Sequence, residues 1–525
     1  MANQQQISTH SWHEALLTYF KPKVVVMLFL GFSAGLPLLL IFSSLSIWLR
    51  EAGVARSEVT YFSLAALAFS FKFIWAPLID KLPLPILASL LGRRRSWLLV
   101  SQLAIALSII SMAMVDPVYG LQSMAIAVVA LGFSAATQDI VIDAYRIEAA
   151  DADNQAAMSA IYIAGYRIGM VVSGAGSLII AAKLAFAQGV GEGNYSYFAW
   201  QYTYFIMAGF TLVGIITTLF IKEPKKIKDD SKYIHSLLDY IRFVFLFGIF
   251  ISTFVVCYIY FNQLGIANSN GFLGFLYESM RLLLSLVLAI IMAYSLVLMK
   301  IINRNMVYTT YVEPLYDFYS RYKNIFFFVV LLIGLYRVSD IILGTVANIF
   351  YTDLGFSKEQ IGYTSKTFGL IMTIVGGFAG GILSVRFGVI RILLLGAVLS
   401  AITNLLFIYL ASMGDDIVTL GIVIAADNLS AGLAMAAFVA YLSSLTSLSF
   451  TATQYAIFSS LMTLLPKTLS AYSGTIVEQF GYNWFFIGTT LIGLPVIALI
   501  FYLILKEQKD GALNTTSRNN ILVDD

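Results

Sequence analysis

Runs of twenty or more almost wholly apolar residues recur along the whole length of this chain. An α-helix rises about 1.5 Å per residue, so about 20 apolar residues cross a hydrocarbon layer about 30 Å thick. Such runs fall at residues 24–49, 58–80, 96–115, 120–145, 156–182, 200–221, 238–261, 275–300, 324–351, 360–385, 391–412, 417–447, 454–477 and 483–505. They predict an all-α polytopic membrane protein with about 14 transmembrane helices. Composition agrees, because 59% hydrophobic and 12% charged residues, with a mean hydropathy of +0.84, lie outside the soluble range. The first run follows a polar start, contains Pro37 and lacks a small-residue cleavage site, so it reads as an uncleaved span.

The scarce reactive side chains narrow the chemistry. Cys257 is the one cysteine and lies mid-run, while His10, His13 and His235 all fall outside the runs. A disulfide framework, a thiolate cluster and histidine–zinc chemistry within the membrane are excluded, and neither a metal nor a cofactor is expected. A membrane enzyme would need a nucleophile and base at one depth, which these residues do not supply. The net charge of +3 gives no reason to expect nucleic acid. Placement matters more: GRRR (92–95), KEPKKIKDDSK (222–232), the segment 300–323 and Arg386 with Arg391 alternate with loops poor in lysine and arginine. The positive-inside rule puts these basic loops and both termini in the cytoplasm.

Internal repetition sets the organisation. EAGVARSEVTYFS (51–63) lies over DLGFSKEQIGYTS (353–365), pairing Gly53 with Gly355 and Tyr61 with Tyr363. DAYRIEAADADNQAAMSAI (143–161) lies over VAYLSSLTSLSFTATQYAI (439–457), and GRRRSW (92–97) over GVIRIL (388–393) in the same register. The copies come in one order and one orientation, which indicates two parallel six-helix halves with two inserted helices between them. The expected divisions are a cytoplasmic segment 1–23, a first half 24–222, a basic linker with two inserted helices 223–323, a second half 324–505 and a polar, unstructured cytoplasmic tail 506–525. With no sizeable soluble output domain in view, a transporter is favoured over a sensor.

Two six-helix halves, each with a basic loop after its second helix, resemble the major facilitator superfamily. The second copy, GGILSVRFGVIR (380–391), is similar to that superfamily's loop motif; the first departs from it, because about ten residues separate Asp80 from GRRR. The strings GFSAGLPLLLIFSSLSIWLREAGV, FSFKFIWAPLIDKLPLP, GRRRSWLL, SAATQDIVIDAYRIE and GYRIGMVVSGAG closely resemble the AmpG-type muropeptide permeases of bacterial inner membranes, densely over residues 31–180 and more loosely beyond 320. The resemblance implies proton-coupled alternating access and import of N-acetylglucosaminyl-anhydro-N-acetylmuramyl peptides, an anionic glycopeptide cargo, by a monomer embedded in lipid. Acetyl-coenzyme A, carried by relatives elsewhere, is the alternative anion.

Ionisable groups inside hydrocarbon cost about 2.5 kcal/mol or more, so each one is a functional candidate. Counting along the runs puts Lys72, Arg167, Arg337, Asp340, Asp427 and Lys467 near mid-depth. Four cations against two carboxylates favour an organic anion, and Arg167 with Tyr166, Arg337, Lys72 and Lys467 are assigned to the substrate path. Arg337 and Asp340, three apart, share a helix face. Asp340 and Asp427 are the candidate proton carriers. Gly165, Gly169, Ser173 and Ser177, four apart, form a small-residue face for close helix packing.

The stretch ATQDIVIDAYRIEA (136–149) ends a greasy helix in carboxylates. Counted from Gly120, Asp139 and Asp143 lie about 19 and 23 residues in, at the cytoplasmic end. Asp143 and Arg146, with Asp80, Arg93, Arg94 and Arg95, are expected to latch a cytoplasmic gate, and Gln138 and Asp139 to line the inner end of the path. Glu148, Asp151 and Asp153 read as a solvated helix end.

Overall fold

The computed structural model describes residues 11–525 except 56–57, 60–61, 63–64, 66, 151–153, 192–193, 225–236, 264–271, 471–472 and 522–525. The described residues form helices and no strand. Twelve of these helices are long and apolar enough to cross a membrane. Two of the fourteen expected spans are not among these twelve. In the run 58–80 the helix Leu67–Phe71 gives way to a 3₁₀ turn at Lys72–Ile74, and in the run 454–477 the described helix is Thr451–Ser470.

The chain separates into two compact units, one of Met1–Ala76, Pro83–Lys225 and Tyr322–Asp525, the other of Pro77–Leu82 and Lys226–Arg321. In the large unit a short helix α1 (Trp12–Thr18) precedes an N-terminal set: α2 (Pro22–Glu51), α3 (Leu67–Phe71), α4 (Arg93–Ala113), α5 (Pro117–Ala149), α6 (Gln155–Ala187) and α7 (Tyr197–Phe220). In the second unit lie α8 (Leu237–Gln263), α9 (Phe272–Leu298) and α10 (Glu313–Tyr322). The large unit resumes with a C-terminal set: α11 (Phe326–Leu335), α12 (Val338–Asp353), α13 (Gly362–Phe387), α14 (Val389–Met413), α15 (Ile417–Leu445), α16 (Thr451–Ser470) and α17 (Ser473–Ile521). The helix α17 runs through the segment expected as an unstructured tail, whose Leu505–Gln508 and Ala512–Leu513 are good helix formers.

Lipid gives helices no hydrophobic reason to associate, so close packing has to supply the attraction. The pair α2 and α6 supplies it through glycine. A Cβ at Gly31 or Gly35 would strike the carbonyl of Tyr162 or Tyr166, and one at Gly165 or Gly169 the carbonyl of Leu28 or Phe32. Further along, the Ser44 hydroxyl donates to the Ser173 carbonyl at 2.8 Å and accepts from Ser177 at 2.8 Å. The small-residue face read from the sequence is thus a seam between two backbones. The C-terminal set repeats the device between α13 and α15, where Gly376, Gly380 and Gly432 abut the carbonyls of Leu429, Leu433 and Thr373.

Repetition is also visible in the backbone. Gly53 and its repeat partner Gly355 have φ of 82° and 98° just after α2 and α12, and Gly92 and Gly388 have φ of 87° and 89° just before α4 and α14. A left-handed backbone there is what the paired glycines provide.

In the second unit Arg281 lies 3.9 Å from the Tyr258 ring centre, a cation–π contact between α9 and α8. The segment 300–323, expected as a loop, is mostly helical. Asn303 caps its start by accepting from the Asn305 amide at 2.9 Å, and Tyr311 packs on Phe243 with ring centres 5.9 Å apart.

Substitution separates glycines that carry the seam from those that do not. Gly165→Val is expected to cost more than about 2 kcal/mol through backbone overlap, read as a lower unfolding temperature of the purified protein. Gly209→Ala, with open space around the added carbon, should leave it unchanged.

Candidate functional site

The two helix sets of the large unit meet where α6 packs on α13 and α15, and where α16 packs on α3 and α5. The ionisable residues singled out from the sequence gather at and above this seam.

Lys72, buried in its 3₁₀ turn, bonds to the Asp139 carboxylate and lies 3.8 Å from Asp143. Tyr162 donates to the other Asp139 oxygen at 3.0 Å. Lys72, Asp139 and Asp143 therefore share one depth, which corrects the residue count that separated them. Counting assumes a continuous helix, and the helix bearing Lys72 breaks at that residue. Lys72 is thereby committed to two carboxylates and is not a free cation of the substrate path. Gln138 is fully buried; its Oε1 accepts from the Ser33 hydroxyl at 3.0 Å, and its amide nitrogen has no partner among the described residues. It lies inside the α2–α5 packing and not on an open wall.

Arg146 carries the chain of contacts across the seam. Its guanidinium meets Asp143 at 3.2 Å within its own helix and donates to Ser159 at 2.9 Å. It also donates to Ser443 of α15 at 2.7 Å and lies 5.2 Å from the centre of the Tyr455 ring of α16. A second crossing lies two residues further along α5. Arg94 pairs with Glu148 at 2.5 Å and donates to the Thr451 hydroxyl at 2.6 Å, while that hydroxyl donates to Glu148 at 2.5 Å. Arg94, Glu148 and Thr451 satisfy one another, as buried charge requires, whereas Arg146 Nε has no hydrogen-bond partner among the described residues.

The expected latch is thus partly rearranged. Glu148, read as solvated, is buried at 8% side-chain exposure and central to the seam. Charge at a helix end says nothing of what covers it, and α16 covers this one. Arg93 adds a weaker contact to Glu148 at 3.3 Å. Arg95 turns the other way, donating to the Thr218 and Leu219 carbonyls at 3.0 and 2.6 Å at the end of α7, so it is no part of the crossing. Asp80 is buried and belongs to the second unit. Asp151 and Asp153 lie outside the described residues.

Deeper in the C-terminal set the chain breaks at Arg337, between α11 and α12, with φ −100° and ψ 1°. Its guanidinium lies 3.3 Å from Asp340, whose other oxygen accepts from the Ser400 hydroxyl. Asp427 on α15 is close enough to feel both charges, and its neighbour Asn428 accepts from Thr373 at 2.9 Å. On α6, half-buried Arg167 has no carboxylate partner among the described residues and feels the charge of Arg337. Tyr166, half-buried beside it, has its ring 6.1 Å from that of Tyr162. Lys467 is exposed on α16. Of the four expected mid-depth cations, Lys72 and Arg337 are held by carboxylates and Lys467 is exposed, which leaves Arg167 as the one without a carboxylate partner among the described residues.

Sequence reading missed Ser159, Ser443, Thr451 and Tyr455, because hydroxyls carry no charge signal. The repeat register held a clue to two of them: Ser159 and Tyr455 are matched positions, and Arg146 sits between them.

Comparison with known proteins places this arrangement. A family profile for the Major Facilitator Superfamily matches residues 27–336 and 326–521. The putative transporter AmpG 4 of Rickettsia felis is 30% identical over 90% of this chain and 94% of its own length. The anhydromuropeptide permease of Escherichia coli is 28% identical over 92% of this chain and 80% of its own. Among solved structures, the human organic anion transporter MFSD10 has a TM-score of 0.54 at 13% identity, covering 91% of this chain and all of that one. The proton:xylose symporter XylE also scores 0.54, at 11% identity over 94% and 95% of the two chains. These likenesses extend the fold and not the cargo.

The two crossings predict a division among substitutions. Ser443→Ala and Thr451→Val each remove a hydroxyl facing a buried charge, and each is expected to destabilise the joined arrangement by about 1–3 kcal/mol. Arg95→Lys should not. Double electron–electron resonance between labels on α6 and α13 should broaden toward longer distances for the first two only.

Proposed function

The chain belongs to the Major Facilitator Superfamily, among its AmpG-type transporters, and we propose that it imports anhydro-muropeptides across a bacterial inner membrane by proton-coupled alternating access. In this reading the basic loops and both termini face the cytoplasm. The structure then has its cytoplasmic end joined, through Arg146 with Ser443 and Tyr455 and through Arg94, Glu148 and Thr451, and cargo enters from the periplasm.

The observation that carries the proposal is Arg167 on α6, which has no carboxylate partner among the described residues and lies near enough to Arg337, at the break between α11 and α12, to feel its charge. Arg167 has no anion of its own and Arg337 has only Asp340, so a carboxylate of the muramyl peptide that lies against them lowers the energy of drawing the sets together around it. Proton coupling follows from competition for Arg337. When the cargo carboxylate takes that guanidinium, Asp340 loses its counter-charge in a poorly solvated site and takes up a proton. Asp427, close enough to interact with Asp340, is the second site for a coupled proton. Inward release of cargo and proton restores the Arg337–Asp340 pair. Lys72 fixes Asp139 and Asp143 as the floor of the path, with Asp139 at its inner end and Gln138 buried against Ser33 of α2.

The deciding experiment is uptake of radiolabelled anhydro-muropeptide by right-side-out vesicles with and without a protonophore. Accumulation should collapse when the protonophore is added and rise at lower external pH, since protons enter with the cargo. Asp340→Asn should reduce accumulation at least about tenfold while leaving counterflow exchange, and Arg167→Gln should raise the KM about tenfold, the loss of one charged contact. Uptake of a different carboxylated solute with none of muropeptide would overturn the cargo. Protonophore-resistant accumulation would overturn the coupling.

A further inference from the structure

The short helix α1 leads into the N-terminal set, yet its side chains rest on the C-terminal set. A capping box fixes its start: the Ser11 amide donates to Glu14 Oε2 at 2.8 Å, and the Glu14 amide donates to Ser11 Oγ at 3.2 Å. Trp12 meets the Phe387 ring edge-on at 6.0 Å and lies under the Arg386 guanidinium at 4.7 Å, both at the end of α13. Just past α1, Tyr19 is buried, packs its ring 5.4 Å from that of Phe378 and donates its hydroxyl to the Phe378 carbonyl at 3.1 Å. The bare backbone of Gly381 makes room for it, since a Cβ there would strike both the Tyr19 hydroxyl and Ala160 of α6. Burial pushes the Tyr19 phenol above the ordinary tyrosine range, so the hydroxyl keeps its proton and remains a donor.

Only Phe20 and Lys21 join this docked segment to Pro22, the first residue of α2. Lys21 is itself tied to the N-terminal set, donating to Asn154 Oδ1 at the start of α6 at 2.8 Å. Three peptide steps from Tyr19 to Pro22 reach about 10 Å at full extension. While Tyr19 stays docked, the two helix sets can part at this end only by the slack in that tether.

We propose that residues 11–21 form a strap across the seam, and that Tyr19 must leave α13 before the Arg93–Arg95 end can open. The strap rests on the transporter reading only in treating that opening as part of the cycle, and its test needs no cargo. A reporter thiol at Ala160→Cys in a Cys257→Ser background, with the protein in nanodiscs, is labelled by a water-soluble maleimide only when the seam opens. Tyr19→Phe keeps the ring and deletes the hydrogen bond, and is expected to speed labelling about fivefold, the population change that follows from losing one such bond. A six-residue Gly/Ser insertion between Phe20 and Lys21 leaves every docking contact in place and lengthens the tether. It too should speed labelling if the segment acts as a strap. Unchanged labelling in both variants would overturn the proposal. Faster labelling from Tyr19→Phe with none from the insertion would also overturn it, leaving α1 a passenger on α13. Failure of muropeptide uptake would bear on the cargo and not on this result.

Discussion

The approach of α2 and α6 to backbone contact fixes everything that α6 presents to the rest of the molecule. Four glycines remove the side chains that would hold these helices apart, and what remains is dispersion between peptide planes, the main attraction available to helices in lipid. With one face of α6 set against α2, Ser159, Tyr162 and Arg167 are aimed at Arg146, Asp139 and the C-terminal set. A shift of one of these glycine contacts would move all three side chains together. The charged chemistry of the large unit is therefore downstream of an apolar packing problem.

Most of the buried charges described here follow one rule. Lys72, Asp139, Asp143, Arg146, Arg94 and Glu148 are each held by opposite charge or hydroxyls, and Arg337 and Asp340 hold one another. Arg167 alone of the buried cations weighed here has a like charge for its neighbour and no carboxylate among the described residues. An uncompensated cation in a poorly solvated place is expensive, and the natural reason to keep one is a counter-ion that arrives from outside the chain.

Much of the fold was legible because its signals are periodic and additive. Apolar run length located the membrane helices, and the repeat pairing of Gly53 with Gly355 and of GRRR with GVIR located turns whose left-handed glycines the structure contains. The site was less legible, and for particular reasons. Lys72 was set at a different depth from Asp139, its partner in the structure, because a 3₁₀ break is invisible to residue counting. Glu148 was dismissed because exposure depends on α16, some three hundred residues away in sequence. Ser443, Thr451 and Tyr455 escaped because a hydroxyl is informative only once a charge is seen facing it. The sequence reading also lacked any sign that a two-residue link would tie Tyr19 on one set to Pro22 on the other.

The asymmetry of the seam has a thermodynamic consequence. Every charge in the two crossings comes from the N-terminal set, and the C-terminal set contributes Ser443, Thr451 and Tyr455, which are neutral. When the sets part, the Asp143–Arg146 and Arg94–Glu148 pairs remain whole on one side, and the other side exposes only hydroxyl groups to water. No ion is stripped of its counter-ion, so opening does not pay the large electrostatic toll of separating unit charges. The balance between joined and parted forms should then be nearly indifferent to ionic strength, and a small free energy of ligand binding suffices to tip it.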